Sequence, residues 1–251
     1  MQLVEGTCRL LGMSATYAGA TDPGRVRPCN EDNLLLVPET GVFAVADGLG
    51  GLDAGDLASA IALSCLHDLS LHQEKSCSDP CDQVQTMVMK VNRHTYKQRV
   101  ALGKRMATTL AMVRFFAHTA TVAHVGDSRI YHLHDGSLIR LTSDHSLAND
   151  LCLQGVLSAD KVANFPQRHI ITRAIGAETS VQPSVARFEF VPGDLLLLCT
   201  DGLTSMVEEK VIASCLTRTS RTGEMAEQLV NLANEAGGRD NITVVVIAVE
   251  S

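Results

Sequence analysis

The sequence predicts an α+β fold in which antiparallel β-sheets are covered by layers of helix. Two observations carry this. Strand-like segments come in adjacent runs joined by tight turns, and helical patterns come in pairs between those runs. No break in composition divides the 251 residues, and no Gly/Ser/Pro-rich linker interrupts them, so one domain over residues 1–251 is expected.

The first strand signals lie at 13–18, at NLLLV (33–37) and at VFAVA (42–46). Two helical patterns follow. In GDLASAIALSCLHDL (55–69), Leu57, Ile61, Cys65 and Leu69 fall four apart, with Ala58, Ala62 and Leu66 beside them, forming one apolar face. DQVQTMVMKVNRHTYKQRV (82–100) repeats the pattern with Val84, Val88 and Val91. The strand-rich middle comprises TLAMVRFF and TATVAHVGDSRIYHLHDGSLIRL, with Asp135-Gly136 as a hairpin turn. Residues 145–180 read as shorter helices and loops. RFEFVPGDLLLLC predicts another hairpin, turning at Pro192-Gly193. EEKVIASCL is helical, EMAEQLVNLANEAGG is a helix ending at a glycine pair suited to a C-cap, and NITVVVIAV is a last buried strand.

Composition narrows the function classes. Hydrophobic residues make up 45% and charged ones 20%, enough to bury a substantial core. The net charge of −7 argues against nucleic acid or an anionic membrane as the main partner. The longest apolar runs, such as VVVIAV, fall far short of the roughly 20 residues that span a bilayer. MQLVEGTCRLLGM has no basic flank before an apolar segment, so a cytoplasmic location is expected. Cys65, Cys199 and Cys215 sit in apolar periodic segments as small core residues, and Cys77 and Cys81 have no partner pair for zinc. A reducing compartment makes a disulfide framework unexpected.

The carboxylates at strand ends are the informative feature. VFAVADGLGG drives Asp47 to the end of a core strand, and LLLLCTDGL does the same with Asp201. Glu31-Asp32 precede NLLLV, Asp127 follows TVAHV, and Asp240 opens the final strand. An acid at one strand end is ordinarily a turn former. Strand ends of packed sheets share edges, however, and several of these acids could meet on one rim. Two carboxylates about 4 Å apart at an effective dielectric of ~20 repel by roughly 4 kcal/mol. Four or five together would rival the whole stability of a domain, about 5–15 kcal/mol. If they converge, bound cations must hold them, and all-oxygen ligands select Mg²⁺ or Mn²⁺.

Arg27-Pro28-Cys29-Asn30-Glu31-Asp32, Asp47-Gly48-Leu49-Gly50-Gly51, Thr108-Thr109, Val125-Gly126-Asp127-Ser128-Arg129, Asp144-His145-Ser146, Thr200-Asp201-Gly202 and Arg239-Asp240-Asn241 resemble, in order, the motifs of the metal-dependent serine/threonine protein phosphatases. The likeness is to the compact bacterial form of the type 2C, or PPM, family, and it covers nearly the whole chain. It implies a four-layer sandwich of two antiparallel sheets flanked by pairs of helices, with a variable flap at about 145–180. It implies that Asp47 bridges two Mn²⁺ or Mg²⁺ ions with the Gly48 carbonyl as a further ligand, and that Asp201 and Asp240 hold one of them. Asp127 and Asp201 resemble the pair at a third, weaker metal site. Glu31 and Asp32 match positions that act through water, and Arg27 matches the arginine that grips substrate phosphate.

The chemistry implied is in-line attack on phosphorus by a hydroxide that two cations about 3.5–4 Å apart generate from a shared water. Arg27 offers a planar fork to the phosphate oxygens. One departure is Leu49, which stands where eukaryotic relatives often carry a histidine that protonates the leaving group; Leu52 also replaces a frequent histidine. His145 is the remaining nearby imidazole, beside an acid, where a structural role is the commoner one. Phosphorylated proteins, among them a cognate Ser/Thr kinase and its substrates, are the expected partners of a monomeric enzyme.

Other patterns are weaker. Cys215 to Arg221 fits a Cys-x5-Arg spacing, yet Cys215 ends a helical run instead of opening a loop of inward-pointing amides. GLGGLDAG fails as a dinucleotide loop at Asp53, and Asp47 would repel a pyrophosphate. A catalytically silent binding module and a different two-metal hydrolase, such as a nuclease, are the alternatives; the negative charge disfavours the latter. Cys29, two residues from Glu31, is either a filler or an oxidation-sensitive neighbour of the site.

Overall fold

The computed structural model describes residues 1–10, 12–49, 54–72, 79–116, 119–162 and 165–250; Gly50, Gly51, Leu52 and Cys77 lie outside the described residues. In chain order the elements are β1 (Gln2–Leu10), β2 (Met13–Asp22), β3 (Asp32–Val37), β4 (Val42–Asp47), α1 (Gly55–Leu71), α2 (Pro80–Leu102), β5 (Leu110–Phe116), β6 (Thr119–Val125), β7 (Arg129–His134) and β8 (Ser137–Arg140). They continue as α3 (Leu147–Leu153), α4 (Ala159–Val162), β9 (Ser184–Glu189), β10 (Leu195–Cys199), α5 (Asp201–Thr204), α6 (Glu209–Arg218), α7 (Thr222–Glu235) and β11 (Ile242–Val249).

The strands form a six-stranded sheet in the order β1-β2-β11-β10-β7-β8 and a five-stranded sheet in the order β3-β4-β5-β6-β9. Every pairing is antiparallel. Alternation along the central strands builds the layers. In β4, Val42, Ala44 and Ala46 face α1 and α2, while Phe43 and Val45 face the other sheet. In β10, Leu195, Leu197 and Cys199 face α6 and α7, while Leu196 and Leu198 enter the space between the sheets. Buried on both faces, such strands read as unbroken apolar runs. The result is the expected four-layer α+β sandwich.

Several local expectations hold. Asp135 (φ 47°) and Gly136 (φ 74°) both adopt the left-handed conformation that a tight two-residue hairpin needs. Val84, Val88 and Val91 are buried against the five-stranded sheet. Helix α7 stops before the glycine pair, whose amides donate to the Asn234 and Ala233 carbonyls. In α1 the face is rotated. Ala58, Ala62, Leu63 and Leu66 are fully covered, while Leu57, Ile61, Cys65 and Leu69 lie at its edge, because small residues let the helix approach the sheet.

Two readings are corrected. Residues 2–10 form a strand that the apolar pattern did not signal; β1 is mostly exposed and is held by its backbone ladder to β2. Residues 187–199 are not a hairpin. The Pro192-Gly193 turn exists, with Asp194 N–H donating to Val191 O at 3.1 Å, but β9 pairs with β6 while β10 pairs with β7 and β11. The turn therefore crosses from one sheet to the other. Apolar periodicity is the same for either outcome, since partner choice is non-local.

Candidate metal centre

The rim of the sandwich where β4 and β10 end collects the strand-end acids. Asp47 closes β4 directly opposite Asp32, the first residue of β3. Its backbone is clamped: Asp47 N–H donates to Thr109 Oγ1 (2.9 Å), and Asp47 O accepts from Thr109 N–H (2.9 Å) and Thr108 Oγ1 (2.8 Å). Thr109 Oγ1 in turn meets Ser128 Oγ at 2.7 Å, beside Asp127 in the turn after β6. Gly48 follows Asp47, with its N–H on Glu31 O at 3.1 Å. Asp201 opens α5 from the other sheet, and Asp240 stands before β11.

Four polar residues, Thr200, Asn241, Thr109 and Ser128, join these parts. Thr200 Oγ1 donates to Asp32 Oδ2 at 2.8 Å, tying the two sheets together at the site. Asn241 donates from Nδ2 to Pro23 O (3.0 Å) and Cys29 O (2.8 Å) and accepts Glu31 N–H on Oδ1 (2.8 Å). It thus holds the loop that carries Arg27 and Glu31. Thr109 and Ser128 do the same for Asp47 and Asp127. Their signal was present: buried polar side chains at the heads of apolar strands.

Close approach of backbones brings Asp201 and Asp240 together. A Cβ on Gly202 would lie 1.9 Å from Asn241 O, so no side chain fits there. Gly202→Ala should lose about 1–3 kcal/mol of stability through overpacking, with a lower melting temperature and a fall in turnover. An unchanged thermal transition would contradict this packing.

The electrostatics record the convergence. Burial raises the Asp47 carboxyl well above the usual range, and Asp32, Asp201, Asp127 and Asp240 add to the rise. Burial lifts Asp32 to about 7, opposed by the Thr200 hydrogen bond and reinforced by Asp201 and Asp240. Asp127 reaches about 8 and Asp201 about 6, burial leading in both; Asp201 also shares a hydrogen bond with Asp47. Glu31 rises through burial and the nearby Asp56. Carboxylates from residue 31 to residue 240 thus act on one another at one rim.

These residues fit divalent cations. Among the described residues Asp32 Oδ1 and Asp127 Oδ1 are buried with no hydrogen-bond partner, and the donor set is all oxygen, which suits Mg²⁺ or Mn²⁺. One contact opposes full closure: Arg27 Nη2 holds Asp240 Oδ2 at 2.7 Å. With Asp240 so engaged, no three of these carboxylates bring an oxygen each within 4.8 Å of one another among the described residues.

Beside the rim, a cleft of about 510 Å³ is lined by Asp127, Asp201, Arg129, Asp144, Arg168 and His169, among others. Arg129 grips Asp144 through Nε (3.1 Å) and Nη2 (2.8 Å), and Arg140 reaches the same carboxylate. A wider groove of about 810 Å³ runs past Glu5 and Arg221, and none of the strand-end acids lines it. His145 is structural. Its Nδ1 accepts Gly126 N–H (3.2 Å), its ring stacks on His124, and burial lowers its pKa to about 3, which leaves no proton to donate near neutrality. Cys215 is buried in α6, where burial raises the thiol pKa, against a thiolate nucleophile. Cys29 is exposed.

An all-oxygen cluster of buried carboxylates that fits divalent ions, with the exposed Arg27 beside it, is the site that a metal-dependent phosphatase requires. Comparison with known proteins makes it specific. The chain belongs to the protein phosphatase 2C family, whose model matches residues 25–234, and it is a bacterial PPM-type serine/threonine protein phosphatase. The "Serine/threonine phosphatase stp" of Listeria welshimeri is 36% identical over 236 residues, covering 90% of this chain and 93% of that protein. The Mycobacterium tuberculosis serine/threonine phosphatase PstP/Ppp superposes with a TM-score of 0.86 at 33% identity, covering 94% of this chain and 99% of that one. A PstP catalytic domain crystallised with two manganese ions gives a TM-score of 0.83 at 31% identity, covering 94% and 99%.

Proposed function

We propose that this phosphatase removes phosphate from phosphoserine and phosphothreonine in proteins, opposing a Ser/Thr kinase, and that residues 1–251 work as one catalytic domain with a flap at about 145–180. Cytoplasmic, monomeric action completes the reading. The observation that carries it is the meeting of Asp47, Asp201 and Asp127 on one rim, where Asp201 and Asp127 both raise the Asp47 pKa and Asp201 raises that of Asp127.

The assignment gives Asp47 and the Gly48 carbonyl to two Mn²⁺ or Mg²⁺ ions, Asp201 and Asp240 to one of them, and Asp127 with Asp201 to a third, weaker ion. A divalent pair held by these residues would acidify water and so supply the hydroxide nucleophile for direct attack on phosphorus. Glu31 and Asp32 accept hydrogen bonds from the surrounding water. The Thr200 hydroxyl keeps Asp32 aimed at the centre. Arg27, exposed at the mouth, binds the non-bridging phosphate oxygens and holds the phosphorus in line. Leu49 offers no proton, so the leaving alkoxide takes one from water in the open cleft.

Hydrolysis of p-nitrophenyl phosphate and of a phosphothreonine peptide tests this. Turnover should require Mn²⁺ or Mg²⁺, stop with EDTA and be lost in Asp201→Asn. A metal-supplemented wild type that turns over neither substrate would point to a binding module instead.

Arg27→Ala separates phosphate binding from metal binding. KM should rise about tenfold, the worth of one charge-assisted contact of about 1.5 kcal/mol. Manganese affinity should hold or improve, since Asp240 loses its competing partner. Weaker manganese binding in calorimetry would contradict the role given to Arg27.

A further inference from the structure

The sandwich carries a second cluster of ligating side chains at the opposite ends of the strands that build the acid rim. In β7, His132 and His134 are two apart, which puts both imidazoles on one face of the strand. Asp194 stands at the start of β10, next to the Leu195–Leu133 pair of the ladder. His134 Nδ1 lies 2.6 Å from Asp194 Oδ1, and His132 Nε2 lies 2.8 Å from Asp194 Oδ2. One ligand atom from each residue falls within 4.8 Å of the other two; among the described residues this is the only such group of three.

We infer that His132, His134 and Asp194 form a binding site for a borderline d-block cation, zinc foremost, which clamps the β7–β8 hairpin to the crossover between the sheets. Two imidazoles and one carboxylate are donors for Zn²⁺, Co²⁺ or Ni²⁺, whereas the all-oxygen rim suits Mg²⁺ or Mn²⁺. The chain would therefore sort two metals by donor chemistry.

The cluster is built as a ligand set. Asp194 is fixed: Oδ2 accepts Val191 N–H (3.0 Å), its own N–H donates to Val191 O (3.1 Å), and its carbonyl accepts Val249 N–H (3.1 Å). Hydrogen bonding of a carboxylate by backbone orients it as a ligand. His132 packs against Phe188, with ring centroids 4.9 Å apart, so its ring is held as well. Only 10% of the His132 side chain and 3% of Asp194 are exposed. Yet His132 Nε2 has no aligned hydrogen-bond partner: the Asp194 oxygen is near enough but out of line. A buried ring nitrogen facing a carboxylate off-axis is poorly served by a proton and well served by a shared cation. His134, 46% exposed, leaves the cluster open to solvent.

This inference is independent of the phosphatase mechanism, and the test keeps them apart. Asp47→Asn/Asp201→Asn removes the acid rim as a competing site. In that background, cobalt(II) chloride should produce visible ligand-field bands, and zinc chloride titrated by calorimetry should bind at one ion per chain. His134→Ala, an exposed change that spares the core, should abolish the bands and weaken zinc at least about 100-fold. Asp194→Asn should do likewise, with circular dichroism confirming the fold. In the otherwise native chain, His134→Ala should leave manganese-dependent turnover intact. Absence of zinc binding, or equal binding by His134→Ala, would overturn the site and reduce the cluster to hydrogen bonds.

Discussion

Asp47→Asn is expected to lower turnover on p-nitrophenyl phosphate by at least about a thousandfold at saturating Mn²⁺. Each factor of ten in rate corresponds to about 1.4 kcal/mol, and a divalent centre supplies several. The same change should raise the melting temperature of the protein in EDTA. Asp47 is the carboxylate on which Asp32, Asp201, Asp127 and Asp240 all act, so at a pH high enough to ionise these acids, neutralising it removes four repulsions at once. Close carboxylate pairs cost up to about 4 kcal/mol each. Recovery of only about 1–2 kcal/mol would lift the transition by about 2–8 °C in a chain of this size. A stabilised protein that has lost activity distinguishes a functional acid from a structural one. Activity within tenfold of wild type, or a lower melting temperature in EDTA, would contradict the role given to Asp47.

Stability without divalent ions should fall as the pH rises from about 5 to about 8. In the unfolded chain a carboxyl titrates near ~3.9. In the fold, burial and mutual repulsion hold Asp201 to about 6, Asp32 to about 7 and Asp127 to about 8. Below about pH 4 both states are protonated and the difference vanishes. Between there and about pH 8 the folded state binds more protons than the unfolded one, so each pH unit costs up to about 1.4 kcal/mol per group. Above about pH 8 the penalty is complete. If the ionised carboxylates hold Mn²⁺, its stabilising effect should grow from pH 6 to pH 8. Thermal melts in EDTA and in Mn²⁺ across this range measure both slopes. An EDTA melting temperature that is flat or rises with pH would contradict a repulsive rim.

Much of this was legible in the sequence because the acids sit where apolar runs stop. A run such as VFAVA must be a buried strand, and Asp47 directly after it must lie at a sheet edge. Repeating that argument at Asp201, Asp127, Asp32 and Asp240 supplies the components of the rim, and the ordered motifs supply the likeness that joins them. The joining itself is non-local. Pairing of Asp32 with Asp47 is a matter of register, and the Thr200 hydroxyl on Asp32 spans 168 residues. The grip of Arg27 on Asp240 spans 213 residues and leaves no trace in local pattern. The same blindness explains the crossover at Pro192-Gly193, where a turn signal is correct but the partner strands belong to different sheets. β1 was missed for a different reason: an exposed edge strand buries too little to need apolar alternation.

Anomalous diffraction at the manganese edge, from crystals grown with Mn²⁺, tests the metal centre most directly. Two strong peaks should flank Asp47, one of them shared with Asp201 and with an Asp240 released from Arg27, and a weaker one should lie between Asp127 and Asp201. Manganese bound elsewhere, or an Asp47 with no peak beside it, would contradict the account.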